Sequence, residues 1–356
     1  MVYLLFYSWG VATLFLYDRL HFSRISAFLL LAFFVFVIAF LPSFQFGVGT
    51  DYFTYSEIFE GTKSVELFFR KGEFAFYYIV VWLRQLGLPA QSLFLVISLL
   101  SSVLVALSLN VFRVNGYKTW AIFLLMVLVT GMLHNQMNGL RNYVAVYCFV
   151  LAILCKFDGR YVLGLMLSIL GVFFHQTMYA MIFFVLVPTS VYRFFSRNVI
   201  AFYTGFFLFW LSGVPIQILD YLLHSYMGFY SHYSDLLNSP SSFFNIASKM
   251  YYIPFHLWFI VWLRRNYYNL SRFSANVIGF WVLGSSVYLG LIYSGLIFRV
   301  WHYFVFFSVI PIYYFFYSRE ADGLKYLALA YVVFPYLVKV IVFPVGEYDY
   351  SFYLFN

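Results

Sequence analysis

Charge is what this chain has least of. Charged residues make up 10% of its 356 positions, against roughly 25% in an ordinary soluble chain. Two water-soluble domains, which the length alone suggests, are therefore excluded. Cysteine is nearly absent too. Cys148 and Cys155 lie seven residues apart on one predicted helix, about 10 Å by helical rise, too far for a disulfide. There is no C-x-x-C, no G-x-S-x-G elbow and no phosphate-binding glycine loop, so the corresponding thiol, acyl-transfer and nucleotide chemistries have no foothold. His21, His134, His224, His232 and His256 show no metal-ligand spacing; no metal and no cofactor is expected. The formal charge of +8 is scattered singly between apolar runs, which points to loop anchoring and away from nucleic acid. Strand-like alternation is missing from those runs, which excludes a membrane β-barrel.

What is present is apolar length. Hydrophobic residues make up 64% of the chain, and a span takes about 20 of them. The runs 1–17, 25–42, 91–112, 119–133, 142–155, 161–174, 176–192, 199–218, 249–263, 274–297, 300–317 and 325–345 are the predicted spans. The first lacks a basic leader and a small-residue cleavage site and is taken as a retained span. Between Glu73 and Arg84 lie only ten residues, about 15 Å of helix, half the hydrocarbon thickness. That segment, 74–83, is expected to be an interfacial or re-entrant helix. The expected fold is all-α: a polytopic integral membrane protein of about 12 transmembrane helices, one domain over 1–356, with two longer outer loops at about 43–90 and 219–248.

With 74–83 kept out of the spans, the positive-inside rule sorts the whole chain. One side collects Arg19, Arg24, Arg113, Lys118, Lys156, Arg160, Arg193, Arg197, Arg264, Arg265, Arg272, Arg319 and Lys325, with only Asp18, Asp158, Glu320 and Asp322. The inner loops then carry +9 and the outer face −1, and both termini lie outside. Both long loops fall on the outer face, where function on a rigid scaffold is expected.

Charges at membrane depth are costly, about 2.5–3.5 kcal/mol each on insertion scales, so those that occur mark candidate sites. Arg299 is the sole charge between Ser274 and Ser318. In FRVWHYF it shares a helix face with His302, and its fork suits a diphosphate; the alternative is an arginine snorkelling to head groups. His175 sits in a charge-free run of 32 residues, Tyr161–Tyr192, which is expected to fold as a tight hairpin with FHQT at its outer tip. There it can take a proton near neutral pH, or serve as an interhelical hydrogen-bonding group. Arg141, in HNQMNGLRNY, stands beside Asn142 where a span begins, so a guanidinium and helix N-terminal amides offer an anion two attractions. Its bland reading is an interfacial anchor. Asp51, in GVGTDYFTY with Tyr52 and Tyr55, can hold a sugar hydroxyl or act as a base. So can Glu73; either is otherwise a solvated loop charge.

Taken in order, GTDYFTY, GEFAFYYI, GLRNYVAVYCF, GVFFHQTMYAMIF and FRVWHYF resemble the EpsG/Wzy-like polysaccharide polymerases, a group that includes O-antigen polymerases, over roughly residues 45–320. The family pattern commonly has Arg-Gln where this chain has Arg141-Asn142. The resemblance implies a glycosyltransferase of the bacterial inner membrane that joins undecaprenyl-diphosphate-linked oligosaccharide repeats on the periplasmic face. It implies membrane lipids as surroundings and a chain-length regulator and a flippase as partners. On that reading Arg141, Asn142, Arg299, His302, Tyr52 and Tyr55 bind diphosphate or sugar, and His175, with Asp51 or Glu73 as rival, takes the acceptor proton. A flippase or other transporter is expected to show two similar halves, and none is evident. A membrane O-acyltransferase needs a donor site on the nearly bare inner loops. An O-antigen ligase differs mainly in its acceptor.

Overall fold

The structure is a computed structural model describing residues 2–20, 23–226, 250–291, 294 and 297–355. No strand occurs among them; one isolated bridge pairs Gln45 with Phe352. In chain order the α-helices used below are α1 (Val2–Arg19), α2 (Arg24–Ser43), α3 (Tyr52–Glu60), α4 (Glu66–Arg70), α5 (Phe74–Gln85), α6 (Gln91–Val114), α7 (Thr119–Leu125), α8 (Met132–Asn138), α9 (Leu140–Phe157), α10 (Tyr161–Phe174) and α11 (Met178–Leu186). There follow α12 (Thr189–Arg197), α13 (Val199–Leu211), α14 (Val214–Tyr226), α15 (Ile253–Asn266), α16 (Arg272–Gly290), α17 (Phe298–Trp301), α18 (Val309–Tyr317) and α19 (Lys325–Leu337). The chain divides into two compact units, one of Met1–Leu186 with Gly323–Asn356, the other of Val187–Asp322.

Five helical stretches are long and apolar enough to cross a membrane: Arg24–Ser43, Gln91–Val114, Leu140–Phe157, Arg272–Gly290 and Arg319–Val342. The number rises to eight among the described residues if each of three bent helix pairs is one span. The count of twelve expected from apolar content is not reached among the described residues, where two further apolar helices, Tyr161–Phe174 and Val305–Tyr317, are shorter than a full span. The run 119–133 bends by 58° at Gly131, which takes φ +66°. The freed backbone is repaired by Thr130, whose hydroxyl donates to Met126 O (2.7 Å) and accepts from Met132 N–H (3.2 Å), as a break at membrane depth requires. The run 199–218 bends by 68° at Gly213. The second long loop is expected at 219–248; residues 219–226 continue α14 and 227–249 lie outside the described residues.

In the first unit α9 is the central helix: 89% of it is buried, against 33% of α2. Its packing against α10 is close because Gly164 has no side chain; a Cβ there would stand 2.8 Å from Ala152 O. Small residues at such crossings are how helices associate where water offers no driving force. Cys148 and Cys155 are both free and buried on α9.

The loops of this unit collect at two ends. At one, the Asp18 carboxylate accepts from Thr119 N–H (2.6 Å) near Arg113, and Asp158 meets Asn115 (2.7 Å) and Arg160 (2.9 Å). At the other, the Tyr3 hydroxyl donates to Glu347 O (2.6 Å), Phe46 N–H to Ser351 O (3.0 Å) and Tyr353 N–H to Phe44 O (2.8 Å). Both terminal segments and the loop that follows α2 thus share one end. The short α5 of 12 residues spans about 18 Å and packs on α10.

Candidate functional site

The end that holds both terminal segments also holds four of the five blocks singled out in the sequence. The first is the loop before α3. Gly49 has φ +74°, and a Cβ there would lie 2.8 Å from Asn138 Oδ1. Only glycine lets the chain pass so close. Asn138 Oδ1 then accepts from Asp51 N–H (2.9 Å) and from the Thr50 hydroxyl (3.1 Å). This seats Asp51, itself exposed, as the residue preceding α3. Asn138→Ala removes both bonds, each worth about 1 kcal/mol net. Hydrogen exchange at the Asp51 amide is therefore expected to quicken about ten-fold or more; unchanged protection would mean the loop is held by something else.

The second block begins at Glu73, whose side chain is 0% exposed. Its carboxylate Oε2 accepts from Arg141 Nη1 in a close ion pair, and Oε1 accepts from Gln176 N–H (3.3 Å). Arg141 is the second residue of α9 and its side chain is 20% exposed. The Phe68 ring lies beneath the guanidinium, 4.7 Å from Cζ to ring centre. The Tyr55 hydroxyl, on α3, lies within the field of Arg141. Burial raises the Tyr55 pKa, the Arg141 charge pulls it down, and Asp51 and Glu73 raise it again, so all three charges act on this one hydroxyl.

His175 ends α10 in an extended conformation, and its N–H caps Gly171 O (3.0 Å). The sharp turn His175–Thr177 then enters α11, the hairpin expected for FHQT. Nδ1 of His175 accepts from Thr177 N–H (3.3 Å) and lies 2.7 Å from the Thr177 hydroxyl. An N–H donor leaves Nδ1 only the acceptor role, so the neutral ring carries its proton on Nε2.

The remaining candidates are placed as follows. Tyr52 is 4% exposed; its ring stacks on Phe94 (4.7 Å) and its hydroxyl donates to Gln91 Oε1 (3.4 Å). Its ring is thus held in the packing between α3 and α6. Asn142 is half-buried on α9 next to Arg141. Arg299 belongs to α17 in the second unit, and its side chain lies outside the described residues; His302 is half-buried in the turn that follows. Asn138, Gln176 and Phe68 escaped the sequence reading. Asn138 and Gln176 stand inside quoted motifs, but nothing in spacing marks a backbone amide as a ligand for a carboxylate 103 residues away. Among the described residues no group of three metal-ligating side chains occurs.

These four segments, brought from across the first unit, are four of the five on which the resemblance in the sequence rests. The EpsG family model matches residues 28–355. The chain belongs to the EpsG family. That is the family of Wzy-like polysaccharide polymerases, so the chain is a polysaccharide polymerase-like membrane protein. No curated protein and no solved structure matches it. The EpsG match begins inside α2 and runs through α19 to the C-terminal segment. It therefore takes in the Asp51 loop, the Glu73–Arg141 pair, the His175 turn and the Arg299–His302 segment together.

Proposed function

We propose that this chain joins undecaprenyl-diphosphate-linked oligosaccharide repeats into O-antigen or a related exopolysaccharide, on the periplasmic face of the bacterial inner membrane. The observation that carries the reading is the gathering of Asp51, Glu73, Arg141 and His175 at one end of the first unit. The donor sugar arrives already activated, so the chain has no need of a nucleotide site. The acceptor's non-reducing-end hydroxyl oxygen forms a bond to the donor's anomeric carbon while that carbon's bond to the lipid diphosphate breaks. The hydroxyl proton goes to a base and the charge goes to the departing diphosphate.

Arg141 suits the second task. A guanidinium has five donors; Glu73 engages Nη1, and the amides that open α9 add to the field. Donors placed where charge develops are usually the largest single contribution to such a step. The proton on Nε2 fits His175 for the same task, as a donor to a phosphate oxygen. The base is then assigned to Asp51, an exposed carboxylate with a fixed backbone. Tyr55 and Asn142 border Arg141 and are assigned to sugar or diphosphate contacts. Arg299 with His302, in the second unit, is proposed as a further diphosphate-directed segment.

Deletion of the chain, followed by gel analysis of surface polysaccharide, tests this reading. Core carrying a single repeat is the expected result. Bare core with normal carrier-linked polymer would make the chain a ligase, and full ladders of altered composition would make it an acyltransferase. A loss of all carrier-linked repeats from the outer face would make it a transporter.

A further inference from the structure

Glu73 lies in the site but is badly placed to be its base. It is 0% exposed, one oxygen faces Arg141 and the other takes the Gln176 amide. A base must come within about 3 Å of the proton it removes, and no face of this carboxylate is open to an incoming hydroxyl. What surrounds it suggests another task. Glu73 N–H donates to Phe68 O (2.9 Å), so the Phe68 ring and the Glu73 carboxylate issue from one tight corner between α4 and α5. Gly72 makes that corner with φ +78°. The ring then lies under the face of the Arg141 guanidinium and the carboxylate grips its edge. A guanidinium held at face and edge loses most of its freedom before any ligand arrives, which is the preorganisation that anion stabilisation requires. The same carboxylate holds the Gln176 amide, in the turn that carries His175.

We infer that Glu73 is a positioning residue: the α4–α5 corner clamps Arg141 to the His175–Thr177 turn, so that the two diphosphate-directed groups are held as one piece. The inference rests on the diphosphate role proposed for Arg141. It assigns to Glu73 no contact with substrate and no proton transfer. The clamp acts through Arg141, so its removal lowers turnover only where Arg141 is present.

The test uses the full chain in proteoliposomes, with the radiolabelled carrier-linked repeats that accumulate in a deletion strain as substrate. Glu73→Gln keeps the shape and an acceptor for the Gln176 amide but gives up the charge. It is expected to lower turnover about 100-fold, the cost of misplacing a reacting group by about 1 Å. Three further readouts separate positioning from the alternatives. In an Arg141→Ala background, adding Glu73→Gln is expected to change the residual rate less than two-fold; a further 100-fold loss would overturn the inference. The pH–rate profile of Glu73→Gln is expected to keep both limbs, and a lost acid limb would make Glu73 the base instead. Phenylglyoxal modification of Arg141, read by mass spectrometry, is expected to quicken several-fold in Glu73→Gln; an unchanged rate would show that the carboxylate does not restrain it. Full turnover by Arg141→Ala alone would instead sink the diphosphate role, a separate failure.

Discussion

Arg141→Ala is expected to stop chain extension, leaving the single-repeat product, with turnover lower by about 10²–10³-fold, the usual loss when one preorganised donor is removed. The structure adds a second consequence that the sequence did not suggest. Glu73 is fully buried against Arg141, so the alanine strands a carboxylate in the interior. Breaking a buried pair on one side costs about 3–5 kcal/mol, and the melting temperature and cellular abundance are expected to fall with it. The double variant Arg141→Ala/Glu73→Gln removes the stranded charge. It is expected to regain most of the abundance while remaining inactive, which separates the anion-binding role from the structural one. Arg141→Lys keeps a charge but not the fork and is expected to fall between. Ladders of normal length from the double variant at normal abundance would end the case for Arg141 as a diphosphate ligand.

The legibility of this site in the sequence follows from distance along the chain. The short α5 could be read because Glu73 and Arg84 bracket it, and ten residues cannot cross a bilayer. The hairpin at His175 could be read because 32 charge-free residues are too many for one span. Both inferences are local. The Glu73–Arg141 pair joins residues 68 apart and the Asp51–Asn138 bond residues 87 apart, and no periodicity records either. Tyr52 and Tyr55 show the same limit at close range. They lie three apart on one short helix, yet one ring packs on Phe94 and the other on Phe76, with its hydroxyl in the field of Arg141. Counting spans from apolar runs assumes that each run forms one straight helix. Gly131 and Gly213 break two of the runs, and glycines that bend a helix are indistinguishable, in sequence, from glycines that let helices touch.

Gly279 is of the second kind, and Gly279→Ala is expected to be the most damaging single methyl group in the chain. It lies in α16 where that helix crosses α12. A Cβ at this position would stand 1.8 Å from Tyr192 O and 2.5 Å from Tyr192 C. Overpacking against a side chain costs about 1–3 kcal/mol, because rotamers and neighbours shift. Here the obstacle is main chain, so the two helices must separate. Tyr192 is fully buried, and its ring packs at 5.7 Å from Phe280, so separation also opens the core of the second unit. Without water to drive helices together, close backbone approach is a main source of their attraction, and one methyl group removes it along the whole crossing. The expected result is a strong loss of monodisperse protein in fluorescence-detected size exclusion. Gly205→Ala on α13 meets nothing within 4 Å and is expected to behave as the unaltered chain does. If Gly279→Ala melts at the same temperature as Gly205→Ala, the α12–α16 crossing is not packed as described.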